Sequence, residues 1–281
     1  MSTRSIPAPG RVVRGPQRLA GAFAARDRRS LPGLIPYVTA GYPGVDDTAA
    51  LLRAAERAGC LAAEVGIPFS DPLADGPTIQ RTSQLALDNG MTVALALDQV
   101  AAARAAGLSL PLALMTYVNP VLAYGTGRFC ADAAAAGGDA VIVPDLPADE
   151  AAELSQAADS AGLALIFLVA PTTTQPRLEA ACARATGFIY CVSLTGTTGA
   201  RAQVAEEALQ LLDRVRAATD LPRALGFGLS RHEHLVALRG RCDAAVVGSA
   251  LLDAVAADPG DPAAAAERFL RGMQSPQGSP A

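Results

Sequence analysis

The residues best placed to do chemistry are three carboxylates, Glu64, Asp71 and Asp75, all within the stretch Ala62–Pro77. Glu64 interrupts a short apolar run that otherwise reads as a buried strand. Glutamate is a poor strand former, and its charge is costly to bury unpaired. The loop that follows carries Asp71 and Asp75 and is stiffened by Pro68, Pro72 and Pro77. One carboxylate on a rigid strand and another on its loop can face a substrate from two sides. Burial raises a glutamate's pKa toward the working pH, as general acid–base chemistry requires. A glutamate at a strand end that simply reaches water remains the plain alternative.

A second group of residues is of a different kind. Thr195-Gly-Thr-Thr-Gly199, Gly226-Phe-Gly228 and Gly248-Ser249 each follow a short apolar run late in the chain. Glycines let backbone N–H groups approach an anion, and a helix N-terminus adds partial positive charge. Together the two groups imply a phosphate ester with a neighbouring group that carboxylates can protonate and deprotonate. Tyr37, Thr39, Tyr117, Asn119, Asp145 and Tyr190 stand at or just after other apolar runs and complete a polar set.

Absences narrow the chemistry. The chain has no lysine, so a Schiff-base or pyridoxal-phosphate mechanism has no amine on this chain. Its two histidines, His232 and His234, are two apart in an expected helix and do not share a face. A catalytic triad or a histidine metal site therefore has little to work with. The five cysteines are scattered, with no Cys-x-x-Cys pair, and read as small apolar residues rather than as disulfides or zinc ligands.

The elements that must position these groups follow a repeating pattern. Short apolar runs at 34–39, 62–66, 111–115, 140–143, 164–169, 188–193, 223–227 and 244–247 read as parallel strands covered on both faces. Helices are expected at 16–27, from a cap at Asp46 to Gly59, at 77–89, 92–106, 126–136, 148–161, 175–185, 203–218, 231–239 and 249–257. A last helix starts at Asp261-Pro262. Eight strand–helix units in this length point to a closed (β/α)8 TIM barrel with an extra N-terminal helix; a doubly wound open sheet is the alternative. Residues 1–15 read as a loose leader, 16–273 as one barrel domain, and 274–281 as a disordered tail. In such a barrel the site lies at the C-terminal ends of the strands, where all the residues above fall.

The net charge of −4 draws the protein to neither nucleic acid nor an anionic membrane, and no apolar run approaches the ~18 residues of a membrane span. With no apolar signal-peptide core, a cytoplasmic protein is expected.

Glu64–Pro77 resembles the signature of the tryptophan synthase alpha subunit. So do Pro36-Tyr-Val-Thr-Ala-Gly41, Thr116-Tyr-Val-Asn-Pro120, Val143-Pro-Asp-Leu-Pro147, Ser193–Arg201, Gly226-Phe-Gly228 and Val247-Gly-Ser249, in the family's order from about 16 to 270. The resemblance implies retro-aldol cleavage of indole-3-glycerol phosphate to indole and glyceraldehyde 3-phosphate, with no cofactor in this subunit. By it, Glu64 is the general acid–base, Asp75 holds the indole N–H, and Tyr190 lies beside the reacting carbons. Tyr37, Met115, Ile142 and Phe227 would wall the ring pocket; Gly199, Gly228, Gly248 and Ser249 would hold the phosphate. Thr198 would lie on a mobile lid at 194–201, and Asp71 would touch a pyridoxal-phosphate beta subunit, in an alpha2-beta2 assembly. A free-standing lyase, a phosphosugar isomerase and a non-catalytic sugar-phosphate-binding barrel are the other readings that these residues allow.

Overall fold

Eight parallel strands close on themselves in chain order, β1 pairing with β8 to complete the ring. The computed structural model describes residues 15–27, 30–192, 206–226 and 228–275. The strands are β1 (Gly33–Thr39), β2 (Ala63–Gly66), β3 (Leu112–Met115), β4 (Ala140–Ile142), β5 (Ala164–Val169), β6 (Ile189–Val192), β7 (Arg223–Gly226) and β8 (Ala244–Val247). Almost every residue in them is buried, as strands covered on both faces must be. This is the expected (β/α)8 barrel rather than an open sheet.

The helices are α1 (Gly15–Ala24), α2 (Thr48–Arg57), α3 (Pro77–Asp88), α4 (Val93–Ala105), α5 (Val118–Tyr124) and α6 (Thr126–Ala135). They continue with α7 (Ala152–Ala161), α8 (Gln175–Arg184), α9 (Glu206–Ala218), α10 (His232–Ala237), α11 (Ser249–Ala257) and α12 (Pro262–Gln274). In α2, Leu51, Leu52 and Ala55 are buried as the apolar stripe requires, and Gly59 follows with a φ of 74° that favours glycine. Asp261 caps α12 by accepting the Ala264 N–H at 2.9 Å.

Three expectations are corrected. Asp46 does not cap α2: Asp47 stands at the cap position, and its carboxylate takes the Gly44 N–H at 2.9 Å instead. The helix expected from 148 starts at Ala152, because residues 147–151 form turns closed by Glu150 N–H to Pro147 and Ala151 N–H to Ala148. The expected helices leave 116–125 without one, yet α5 forms there, with Pro120 in its first turn, where a missing N–H costs nothing. At the C-terminal end Gln274 closes α12 and donates to the Ala58 carbonyl at 2.6 Å; residues 1–14 and 276–281 lie outside the described ones.

The end of the barrel away from the site is stoppered by α1. Alanines 113, 140, 164, 224 and 244 leave room inside the ring, and Leu19, Phe23 and Phe188 fill it. The Phe23 and Phe188 rings pack 5.7 Å apart. Arg18 of α1 and Arg104 of α4 each reach the fully buried Asp139 at 2.7 Å, and Asp139 also accepts the Leu112 N–H at 2.8 Å. With one end sealed, the C-terminal ends of the strands are left to build the site.

Candidate active site

Glu64 stands on β2, level with Tyr37 on β1 and with Ala113 on β3. It is 1% exposed, and its Oε1 finds no hydrogen-bond partner among the described residues. Burial first, and the nearby Asp75 charge second, push its carboxyl up to about 8. An acid held this way keeps its proton at neutral pH and can both give and retake it.

Asp75 sits on the loop between β2 and α3. The Tyr117 hydroxyl donates to its Oδ2 at 3.0 Å and accepts the Ala74 N–H at 2.9 Å, so two adjacent loop residues are clamped to one side chain. Burial raises the Asp75 carboxyl to about 6, and the Tyr117 hydrogen bond works against that rise. Two carboxyls in one site whose environments push them to about 8 and about 6 are divided, between those values, into an acid and an anion.

Two buried tyrosines stand near the carboxylates. A Cβ on Gly66, two residues beyond Glu64, would run into the Tyr37 hydroxyl, and one on Gly226 would run into the Tyr190 hydroxyl. Each ring therefore lies across a glycine at the end of the neighbouring strand. Burial, with Glu64 and Asp75 nearby, raises the Tyr190 phenol well above its ordinary range; Tyr37 moves the same way for the same reasons. Both stay neutral.

Beside this pair is a narrow cleft lined by Tyr37, Ile67, Phe69, Pro72, Asp75, Ser83, Met115, Thr116 and Tyr117. It brings together four of the expected residues: Tyr37, Met115, Tyr117 and Asp75. Glu64 does not line it. Ile142 is fully buried inside the barrel, paired in register with Met115. Thr39 is buried as well, its hydroxyl 2.8 Å from that of Thr82 on α3, so it joins strand to helix. Asn119 is exposed on the first turn of α5, and Asp145 accepts the Val118 N–H at 2.9 Å. Ile67, Phe69, Ser83 and Thr116 were not singled out from sequence as site residues, and Pro72 was read only as stiffening the loop. Apolar and small hydroxyl residues carry no chemical signature there, although Phe69 stacks on Tyr117 with centroids 5.5 Å apart.

On the other flank, Gly248 precedes α11, whose first turn has no side-chain cap among the described residues, leaving its N–H groups for an anion. A Cβ on Gly248 would lie 3.5 Å from Tyr37 Cβ and from Ile79, so this corner adjoins the ring cleft. Ser249 is exposed as the first residue of α11, and Gly228 is exposed after β7 with a φ of 75°. Thr198, Gly199 and Phe227, and the expected lid at 194–201, lie outside the described residues.

A family model described as tryptophan synthase alpha chain matches residues 23–277. The chain belongs to the tryptophan synthase alpha chain family. The reaction of that family is retro-aldol cleavage of indole-3-glycerol phosphate, a carbon–carbon lyase step of tryptophan biosynthesis. Curated tryptophan synthase alpha chains from Chloroflexus aggregans and Gluconacetobacter diazotrophicus are 49% and 50% identical to it. Each alignment covers 84% of this chain, with 88% and 86% of the relative. Among solved structures, a chain of the tryptophan synthase a2b2 complex of Pyrococcus furiosus matches with a TM-score of 0.82 at 39% identity. It covers 87% of this chain and 98% of its own. Tryptophan synthase from Mycobacterium tuberculosis matches with a TM-score of 0.83 at 37% identity, covering 92% and 96%.

Proposed function

We propose that Glu64 and Asp75 carry the tryptophan synthase alpha reaction in this chain. The observation behind this is the buried Oε1 of Glu64, without a hydrogen-bond partner among the described residues, near a loop carboxylate clamped by tyrosine. Protonated Glu64 gives its proton to C3 of the indole ring. The ring becomes cationic, and the Asp75 carboxylate, accepting the ring N–H, stabilises that charge where it develops. The Glu64 carboxylate then takes the proton from the glycerol hydroxyl, and the C3–glycerol carbon bond breaks. Its electrons return to the ring to give indole, while the former alcohol carbon becomes the aldehyde of glyceraldehyde 3-phosphate. Glu64 ends protonated, ready for the next turnover.

Tyr190 and Tyr37 keep water from the carboxylates. Tyr37, Met115, Ile142 and Phe227 wall the ring, and Gly199, Gly228, Gly248 and Ser249 hold the phosphate. Thr198 belongs to the closing segment. The chain works with a tryptophan synthase beta subunit in an alpha2-beta2 assembly, as in the a2b2 complex of the Pyrococcus furiosus protein, and Asp71 faces that partner. No helix of the described residues is long and apolar enough to cross a membrane, and we place the protein in the cytoplasm.

The test is release of free indole from indole-3-glycerol phosphate. Glu64→Gln and Asp75→Asn should each abolish it with the fold intact. Near-wild-type release by either variant removes that residue from the mechanism.

A further inference from the structure

The backbone between β7 and α10 is tethered at Leu229 and Ser230. Leu229 is buried at 7% exposure, and the Ser230 N–H donates to Nδ1 of His234 at 3.1 Å. His234 is 4% exposed on α10. Gly228, with its φ of 75°, comes directly before these two residues. For Nδ1 to accept, the proton of the neutral ring sits on Nε2, so the imidazole acts here as a fixed acceptor. Helix α10 has its own anchor, because His232 Nδ1 meets the Met273 carbonyl of α12 at 3.0 Å. The His234 bond adds to that anchor a hold on the loop.

We infer that His234 is a positioning residue for the phosphate end of the substrate. Through the Ser230 N–H it fixes the backbone of residues 228–230 in the shape that presents the Gly228 N–H. This rests on the reading of Gly228 as a phosphate-binding residue. A loop already ordered need not be ordered by the substrate, and that saving appears in binding. Losing it removes affinity from ground state and transition state alike, so KM rises while kcat holds. Taking the N–H of a residue just ahead of a helix with a side chain of its first turn is also how a helix start is stabilised. That role alone would change stability and leave KM untouched.

The experiment compares His234→Leu, His234→Gln and His234→Asn. Leucine removes the acceptor, glutamine stays polar but carries its oxygen one bond further out, and asparagine places Oδ1 near the position of Nδ1. Readouts are KM and kcat for indole-3-glycerol phosphate, the inhibition constant of glycerol 3-phosphate, and Tm. H234L should raise KM and that inhibition constant together, by about fivefold to tenfold, with kcat within about twofold. H234Q should follow H234L and serves if H234L does not fold, whereas H234N should return both constants to near the wild-type values. Unchanged constants in folded H234L or H234Q overturn the inference, as does a parallel fall of kcat and Tm with KM constant. If glycerol 3-phosphate does not compete even with the wild-type protein, the phosphate assignment itself falls, and this inference with it.

Discussion

The Tyr117 hydroxyl donates to Asp75 Oδ2 at 3.0 Å while accepting the N–H of Ala74 at 2.9 Å. A charge-assisted hydrogen bond of this kind favours the ionised carboxylate and fixes its direction. Tyr117→Phe removes both effects. Asp75 then loses the one influence that counters its burial, so its pKa moves up from about 6. The acid limb of the kcat/KM profile should shift to higher pH, with a several-fold loss of activity near pH 6. An unmoved limb would show that Asp75 does not need this donor.

The same two carboxyls set the pH window. The proposed mechanism needs Asp75 ionised and Glu64 protonated, which is satisfied between about 6 and about 8. Activity measured as indole release should follow a bell with its limbs near those values, which belong to the interacting pair. A profile that climbs steadily through pH 9 would rule out Glu64 as the acid.

Stability carries a further sign. The folded-state pKa of Glu64 is raised from 4.5 to about 8, so its contribution to stability is fully present below about 4.5 and is lost as pH rises through about 8. Glu64→Gln cannot ionise and escapes that loss. Thermal unfolding should show the variant gaining on the wild type as pH rises across this range, by up to a few kcal/mol. An inactive variant that gains in this way separates the loss of chemistry from the loss of fold.

Much of this was legible in the chain, and the reasons differ by residue. The apolar runs fixed the barrel because strands covered on both faces need side chains apolar on both sides. Glu64 stood out because its type is wrong for its place. Tyr117 was read as a substrate-binding residue of the polar set after a strand, with no partner named. Its clamp on Asp75 joins positions 42 apart, and no local spacing reports such a contact. Thr39 was read as facing substrate, yet its hydroxyl meets Thr82, a pairing set by how α3 lies on β1. The placement of α1 was equally hidden, since an alanine in a strand does not say what fills the space it leaves.

Asp139 tests that placement. It is fully buried between Arg18 and Arg104, and Arg104 also donates to the Leu108, Leu110 and Gly137 carbonyls. Asp139→Ala takes the charge partner from Arg18 and Arg104 and the acceptor from an N–H of β3. Breaking a buried pair this way costs about 3–5 kcal/mol. Denaturant unfolding should show a loss of that size.

Gly66→Ala tests the tyrosine laid across the strand end. The new methyl would collide with the Tyr37 hydroxyl, and the backbone of β2 cannot yield without breaking its pairing with β1 and β3. The single variant should lose stability by about 1–3 kcal/mol, as over-packing does, and should lose most of its activity because Glu64 shares the strand. Tyr37→Val in the same chain vacates the space. A double-mutant cycle on Tm should then give coupling well above 0.5 kcal/mol. Additive losses would mean that the ring does not lie where the geometry puts it.

The partner should act through the loop that carries Asp75. Leu73 is 92% exposed, an unusual position for leucine, and its neighbours tie it to the site. Its N–H bonds to the Asp71 carbonyl at 2.9 Å, the Asp75 N–H bonds to the Pro72 carbonyl at 3.0 Å, and Ala74 is held by Tyr117. A subunit that covers Leu73 and meets Asp71 therefore presses on a short chain of hydrogen bonds ending at Asp75, the carboxylate proposed for catalysis. Burying that leucine would stabilise the contact by about 2 kcal/mol, and it can stimulate the lyase only if it favours the productive setting of Asp75. Leu73→Ser should leave the isolated chain's indole release within about twofold of wild type, yet cut its stimulation by the beta subunit by about tenfold or more. Asp71→Ala should weaken the stimulation in the same direction. Full stimulation of Leu73→Ser at the same beta-subunit concentration would move the contact elsewhere on the barrel face.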